Sequence, residues 1–268
     1  MAQSPAYPDQ QRLDGWIAAA AAAADVAGAI IRPFFRNGLT ATHKHDLSPV
    51  TIADRAAEQA MRALLTELFP DHGVLGEEFG HDRADATFTW VLDPIDGTRA
   101  FITGRPVFGT LIALMQDDVP LVGIIDQPIT GERWIGAAGR RTVFRGPFGG
   151  QAGCRPCPAL ADAELSLTSP DMLGADTPRW QKLADSVRRV SYGGDCYAYG
   201  LLALGQIDLI AECDLKIWDW AALCPVIEGA GGRLTDWSGQ PLRRAAASHA
   251  LAVGDARLLD QAVALLRN

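Results

Sequence analysis

Two aspartates, Asp93 and Asp96, stand close together in the stretch Trp90-Val-Leu-Asp93-Pro-Ile-Asp96-Gly-Thr98. The apolar run Phe88 to Leu92 before them reads as a buried strand that stops at a rigid turn. Pro94 fixes its own φ and biases Asp93 towards an extended backbone, so both carboxylates are held at the strand end. Fixed carboxylates a few Å apart raise each other's pKa unless a cation sits between them. Oxygen-only donors suit a hard divalent ion such as Mg²⁺. Gly97 and Thr98 add backbone N–H groups and one hydroxyl beside that position, which makes an anion site. Metal and anion site together point to a phosphate ester. Asp, Pro and Gly are also the commonest turn formers, so the stretch taken alone is equally a plain turn.

Other acidic positions bear on the choice. Glu77, in Gly76-Glu77-Glu78, closes a second short strand ahead of the central stretch. Asp54 lies in the first turn of a helix, where complementing the helix dipole is sufficient reason for an acid. Asp219, in Trp218-Asp219, opens a helix and reads equally as an N-cap. Asp195 follows a Gly193-Gly turn and Glu212 ends an apolar strand; each is either a solvated acid or a carboxylate facing a cationic ligand. His43 and His45 could bind a metal but read as surface residues of a polar loop. Cys154-Arg-Pro-Cys157 has CxxC spacing without a second pair, which is weak support for zinc or redox chemistry.

The elements that must carry these residues follow from periodicity. A disordered start leads into an Ala-rich helix over 11–35, and a second helix runs from Thr51 to Leu68 with Ala57, Met61, Leu64, Leu65 and Leu68 at helical spacing. Val74-Leu75 is a short strand. Strands over 109–115, 121–126 and 133–136 form an antiparallel meander. The Gly-, Pro- and Cys-dense stretch 146–158 marks a boundary between an N-terminal domain, 1–150, and a C-terminal one, 151–268. The second half reads as strand 165–168, helix 179–187, a short helix after Gly194 and strand 207–212. A helix from Asp219 to Gly229, strands 233–236 and 250–253 and a helix 256–266 follow.

At 268 residues, 48% hydrophobic and 21% charged, the chain has core material for one large or two closely packed domains. The net charge of −8 argues against a nucleic-acid or anionic-membrane surface. The apolar segment 17–31 contains Asp25 and falls short of the roughly 20 residues of a membrane span. It also lacks the start of a signal peptide, so a cytoplasmic protein is expected. Five scattered cysteines make no disulfide framework.

Taken together, Asp54 after Ser-Pro-Val-Thr, Gly76-Glu77-Glu78, Asp93-Pro-Ile-Asp96-Gly-Thr98 and Trp218-Asp219 resemble the inositol monophosphatase superfamily, in order and across nearly the whole chain. The resemblance implies a layered αβαβα sandwich, with an α+β half and an α/β half meeting at the metal site. It implies Mg²⁺, two or three ions, held by Glu77, Asp93, the Ile95 carbonyl, Asp96 and Asp219. Asp54 would lie near a further metal and the attacking water, which Thr98 would orient. Catalysis would thus rest on Thr98, Glu77 and Asp54, and substrate contacts on Asp96, Gly97, Thr98, Asp195, Glu212 and Asp219. A homodimer acting on a small phosphorylated metabolite is also implied. Within the superfamily, Asp96-Gly-Thr-Arg-Ala-Phe-Ile-Thr-Gly-Arg-Pro and Gly-Gly-Asp195-Cys-Tyr-Ala-Tyr look most like the histidinol-phosphate phosphatase branch of histidine biosynthesis. An inositol-1-phosphate phosphatase and a nucleotide 3′-phosphatase are the alternative enzymes. A metal-stabilised binding module is the alternative from another class.

Overall fold

The structure, a computed structural model, describes residues 9–37, 42–43, 49–50, 52–243 and 249–267. The expectation of a disordered start and the reading of His45 fall outside these residues, as does the side chain of His43.

The elements run α1 (Gln10–Ile31), β1 (Thr42–His43), β2 (Pro49–Val50), α2 (Ile52–Leu68), β3 (Gly73–Gly76), β4 (Gly80–Asp82), β5 (Phe88–Asp96) and α3 (Thr98–Ile102). Then come β6 (Gly109–Gln116), β7 (Val119–Gln127), β8 (Glu132–Ala137), β9 (Val143–Arg145), β10 (Glu164–Leu167), α4 (Thr177–Ala184) and β11 (Arg189–Tyr192). The chain closes with α5 (Asp195–Ala203), β12 (Leu209–Cys213), α6 (Ile217–Trp220), α7 (Leu223–Gly229), β13 (Arg233–Thr235), β14 (His249–Val253) and α8 (Arg257–Leu266).

Seven strands, in the order β4-β3-β5-β6-β7-β8-β9, form one sheet, antiparallel except where β3 and β5 run parallel. Five more, β11-β10-β12-β14-β13, form a second, mixed sheet. The period-two alternation of a strand sends its neighbours to opposite faces. Trp90 and Leu92 of β5 accordingly pack with α1 and α2, whereas Val91 packs with α5, α6 and α7 on the other side. Those three helices also cover Ile210, Leu234 and Ala252 of the second sheet, whose outer face buries Leu165, Leu209 and Val253 against α4 and α8. The result is five layers, α-β-α-β-α, as the resemblance implies.

With the 3₁₀ turn that follows it, α1 spans Gln10–Phe34, 25 residues that contain an 18-residue window of mean hydropathy 1.5. That is long and apolar enough to cross a membrane by length and composition, which corrects the expectation that the segment falls short. Its alanines, Ala19, Ala20, Ala23, Ala24 and Ala27, are buried with Leu13 and Trp16 in the core shared with α2 and the larger sheet. In this fold α1 is one layer of the core.

Three corrections affect the site. The central strand does not stop at Leu92; β5 runs through Pro94 to Asp96, with a bulge opposite β6 between Asp93 and Asp96. Residues 42–43 and 49–50, expected in a loop, pair as two antiparallel strands. The helix expected from Asp219 to Gly229 is broken into α6 and α7, and Asp219 lies in the last turn before the break instead of at an N-cap. The short strands β4, β9 and β11 were not expected at all.

Candidate active site

The bulge in β5 explains how a strand presents two carboxylates at a spacing of three. In a regular strand Asp93 and Asp96 would point to opposite faces. Asp93 pairs with Leu111 and Asp96 with Gly109, so β5 carries one extra residue between them. A bulge of this kind returns both side chains to one face and bends the strand. Pro94 fits there because its missing N–H falls at the irregularity, and its carbonyl accepts the Thr110 hydroxyl at 2.7 Å. The Ile95 N–H donates to Asp93 Oδ1 at 3.1 Å. Gly97 then takes φ +85°, a left-handed conformation natural to glycine, and caps α3.

α6 brings Asp219 to the same point. Its carboxylate accepts from the backbone N–H of Lys216 at 2.6 Å, which fixes its direction. Carboxylate oxygens of Asp93, Asp96 and Asp219 lie within 4.8 Å of one another. Asp96 is held from the opposite half of the chain, where the Cys196 N–H of α5 donates to its Oδ2 at 2.6 Å.

Glu77 follows β3, whose pairing with β5 continues as the Glu77 N–H donates to Leu92 O at 3.3 Å. Its loop is anchored by Glu58 of α2, a residue absent from the sequence reading. Glu58 is fully buried and accepts from Glu78 N at 2.8 Å, Phe79 N at 3.2 Å and Arg62 Nε at 2.7 Å. A Cβ on Gly76 would stand 2.1 Å from Glu58 Oε1, so only glycine admits this anchor. Arg62 also reaches Asp82 at 2.8 Å, tying β4 to α2. Asp54, in the first turn of α2, is 1% exposed and close enough for its charge to act on Asp93. Complementing the helix dipole does not account for that burial. Thr98 donates its hydroxyl proton to Ile95 O at 3.1 Å.

Burial, followed by the charges of Glu77, Asp96, Asp219 and Asp54, pushes the Asp93 carboxyl well above its ordinary range. Burial and then Asp219 push Asp96 up to about 7, against the opposing bonds from Cys196. Asp219 is likewise pushed up to about 7, by burial first, with Glu77 and Glu212 adding to it and the Lys216 N–H opposing. A set of buried, all-oxygen, mutually repelling donors fits a hard divalent cation, which would relieve the repulsion.

Glu77, Asp96, Gly97, Thr98 and Asp219 line one cleft of 480 Å³ together with Asp195 and Glu212. The two latter acids differ. Glu212 is 3% exposed, and its oxygens accept from Thr168 N at 2.8 Å and Tyr199 OH at 2.9 Å. Asp195 sits against Gly97, where an added Cβ would come within 2.9 Å of its Cγ. Its backbone N–H donates to Thr168 Oγ1 at 3.1 Å, while its carboxylate bonds to no described residue. Burial, then Asp96 and Glu212, push Asp195 up to about 8. Cys154 and Cys157 are free thiols whose N–H groups bond to Ala230 and Asp255, fastening the connection between the halves.

A profile of the inositol monophosphatase family matches residues 12–268. The chain belongs to that family. It is 45% identical over 271 residues to the bifunctional phosphatase IMPL2, chloroplastic, of Arabidopsis thaliana, covering 97% of this chain and 78% of that one. A histidinol-phosphatase of Mycobacterium tuberculosis is 40% identical over 205 residues, 73% of this chain and 77% of the relative. A solved inositol monophosphatase from Zymomonas mobilis superposes with a TM-score of 0.87 at 48% identity, covering 97% of this chain and 99% of that one. The protein is thus a phosphatase of the inositol monophosphatase family, which is Mg²⁺-dependent, and its carboxylate cluster suits that ion.

Proposed function

We propose that this phosphatase hydrolyses a monoester whose alcohol carries positive charge, and that histidinol phosphate is its substrate. The observation that carries this reading is Asp195, a largely desolvated carboxylate facing the cleft without a partner among the described residues. A buried acid in that state is best satisfied by a cation, and histidinol phosphate brings an ammonium and an imidazole. Glu212 contributes less, since each of its oxygens already accepts one bond. Relatives named histidinol-phosphatase, at 40% and 33% identity, support the same choice.

Asp93, Asp96, Asp219, Glu77, the Ile95 carbonyl and Asp54 are the groups we assign to two or three Mg²⁺, which supply charge neutralisation at the phosphoryl oxygens and acidify water. Thr98 gives its own proton to Ile95 O, so Oγ1 presents lone pairs that accept a bond from the attacking water. Glu77 or Asp54 takes the proton this water loses as its oxygen bonds to phosphorus and the ester P–O bond breaks, and the departing alkoxide is protonated by solvent water. Gly97 and Thr98 hold the phosphoryl end beside Asp96, and Asp195 faces the alcohol.

Asp195→Ala is expected to lower kcat/KM for histidinol phosphate about tenfold or more, and to change that for an uncharged ester such as inositol 1-phosphate much less. The 48% identity to a solved inositol monophosphatase makes inositol phosphate the proper competitor in this assay. Equal losses on both esters, or a wild type that prefers inositol phosphate, would remove histidinol phosphate and leave the phosphatase class intact.

A further inference from the structure

We propose that Arg99 is the anion-recognition residue of the cleft, recruiting the phosphoryl end of the substrate and retaining the phosphate product. This rests on the phosphatase class alone and is independent of which alcohol leaves.

Arg99 follows Thr98 in α3 and lines the cleft. Every other charged side chain among the described lining residues is an aspartate or glutamate. With the metal-binding acids neutralised by their ions, Asp171, Asp195, Glu212 and Asp214 still present negative charge along the wall, and the field of one correctly placed cation then counts in the approach of a phosphate dianion. Arg99 is exposed, and its guanidinium makes no hydrogen bond or ion pair with any described residue. Its neighbours differ in this respect. Arg105 donates to Gly193 O at 2.8 Å and Arg36 donates to Gly104 O at 2.9 Å, so both are committed to holding backbone.

The fork of five N–H donors on Arg99 is matched in shape to two phosphate oxygens, as an ammonium is not. Its charge also acts on Asp195, which places a cation and an unpartnered carboxylate near each other on one wall. The exposed position also means that truncating Arg99 removes little packing.

The test uses inorganic phosphate as the probe, with Mg²⁺ held saturating, on wild type, Arg99→Ala and Arg99→Lys. Phosphate binding is read twice, as the rise in Tm with phosphate and as product inhibition of ester hydrolysis. Arg99→Ala is expected to weaken phosphate by both readouts and to raise KM, each about fivefold or more, with kcat within about twofold. Arg99→Lys should recover part of the loss, because charge is kept and the fork is not. The difference between wild type and Arg99→Ala should shrink in about 0.5 M salt. Unchanged or tighter phosphate binding in Arg99→Ala would overturn the proposal, as would a fall in kcat at constant KM and constant phosphate affinity. A wild type that prefers inositol phosphate would defeat the histidinol reading and leave this comparison unaffected, since the Tm readout needs no ester.

Discussion

Asp93 is 1% exposed and meets the charges of four other carboxylates, so its replacement changes both the charge and the geometry of the cluster. Asp93→Asn is expected to lower kcat/KM at least about a hundredfold, a loss of roughly 2.7 kcal/mol in transition-state stabilisation. Thr98→Ala should lower kcat while leaving the Mg²⁺ concentration for half-activation near that of wild type, because the hydroxyl bonds to Ile95 O and carries no charge. Mg²⁺ titrations of both variants check the pair, and full rescue of Thr98→Ala by added Mg²⁺ would refute its role with water. These acids were legible in the sequence because strand ends and helix starts are where short motifs gather. Glu58 and Cys196 were not, since their bonds reach Glu78, 20 residues away, and Asp96, 100 residues away.

At the scale of elements, α2 determines where Glu77 stands. Glu58 and Arg62, one turn apart, bind the backbone of the β3–β4 connection from within the core. Glu58→Ala takes one of two carboxylates from Arg62, which keeps Asp82 and the Gly80 carbonyl, and frees the N–H groups of residues 78 and 79, a cost of about 2–4 kcal/mol. Thermal denaturation should show a Tm lower by about 10 °C. The Mg²⁺ requirement of the residual activity should rise as well, because Glu77 loses its support. Lower stability with an unchanged Mg²⁺ requirement would mean that pairing with β5 alone positions Glu77. Nothing in the i, i+4 spacing of Glu58 and Arg62 distinguishes a buried anchor from an ordinary exposed helix pair. The long helices and the central strands were legible from their periodicity. β4, β9 and β11 are three or four residues long and owe their conformation to the strands beside them, so nothing local marks them. The continuation of β5 through Pro94 was hidden for a related reason, since a proline argues against a strand until the bulge is known.

Across the whole molecule, carboxylates pushed upward by burial make the metal-free protein sensitive to pH. Asp96 and Asp219 are held at about 7 and Asp195 at about 8, against an unfolded value of roughly 3.9. Between those limits the folded chain binds more protons than the unfolded one, so stability falls as pH rises. The Tm of chelator-treated protein should drop by at least about 5 °C from pH 5 to pH 8, and saturating Mg²⁺ should restore more at pH 8 than at pH 5. A flat profile without metal would show that the cluster is relieved by other means.

The five-layer order also constrains how the protein is made. Val91, Leu111, Ala113, Met115, Ile125 and Trp134 form the inner face of the larger sheet, and the helices that cover them begin only at Asp195. A chain emerging from the ribosome completes that sheet at Arg145 and then waits through some fifty residues of synthesis, roughly 3–10 s, with an apolar face uncovered. Its yield in a cell should therefore depend on chaperone supply and on translation speed through residues 146–229 more than on the stability of the finished fold.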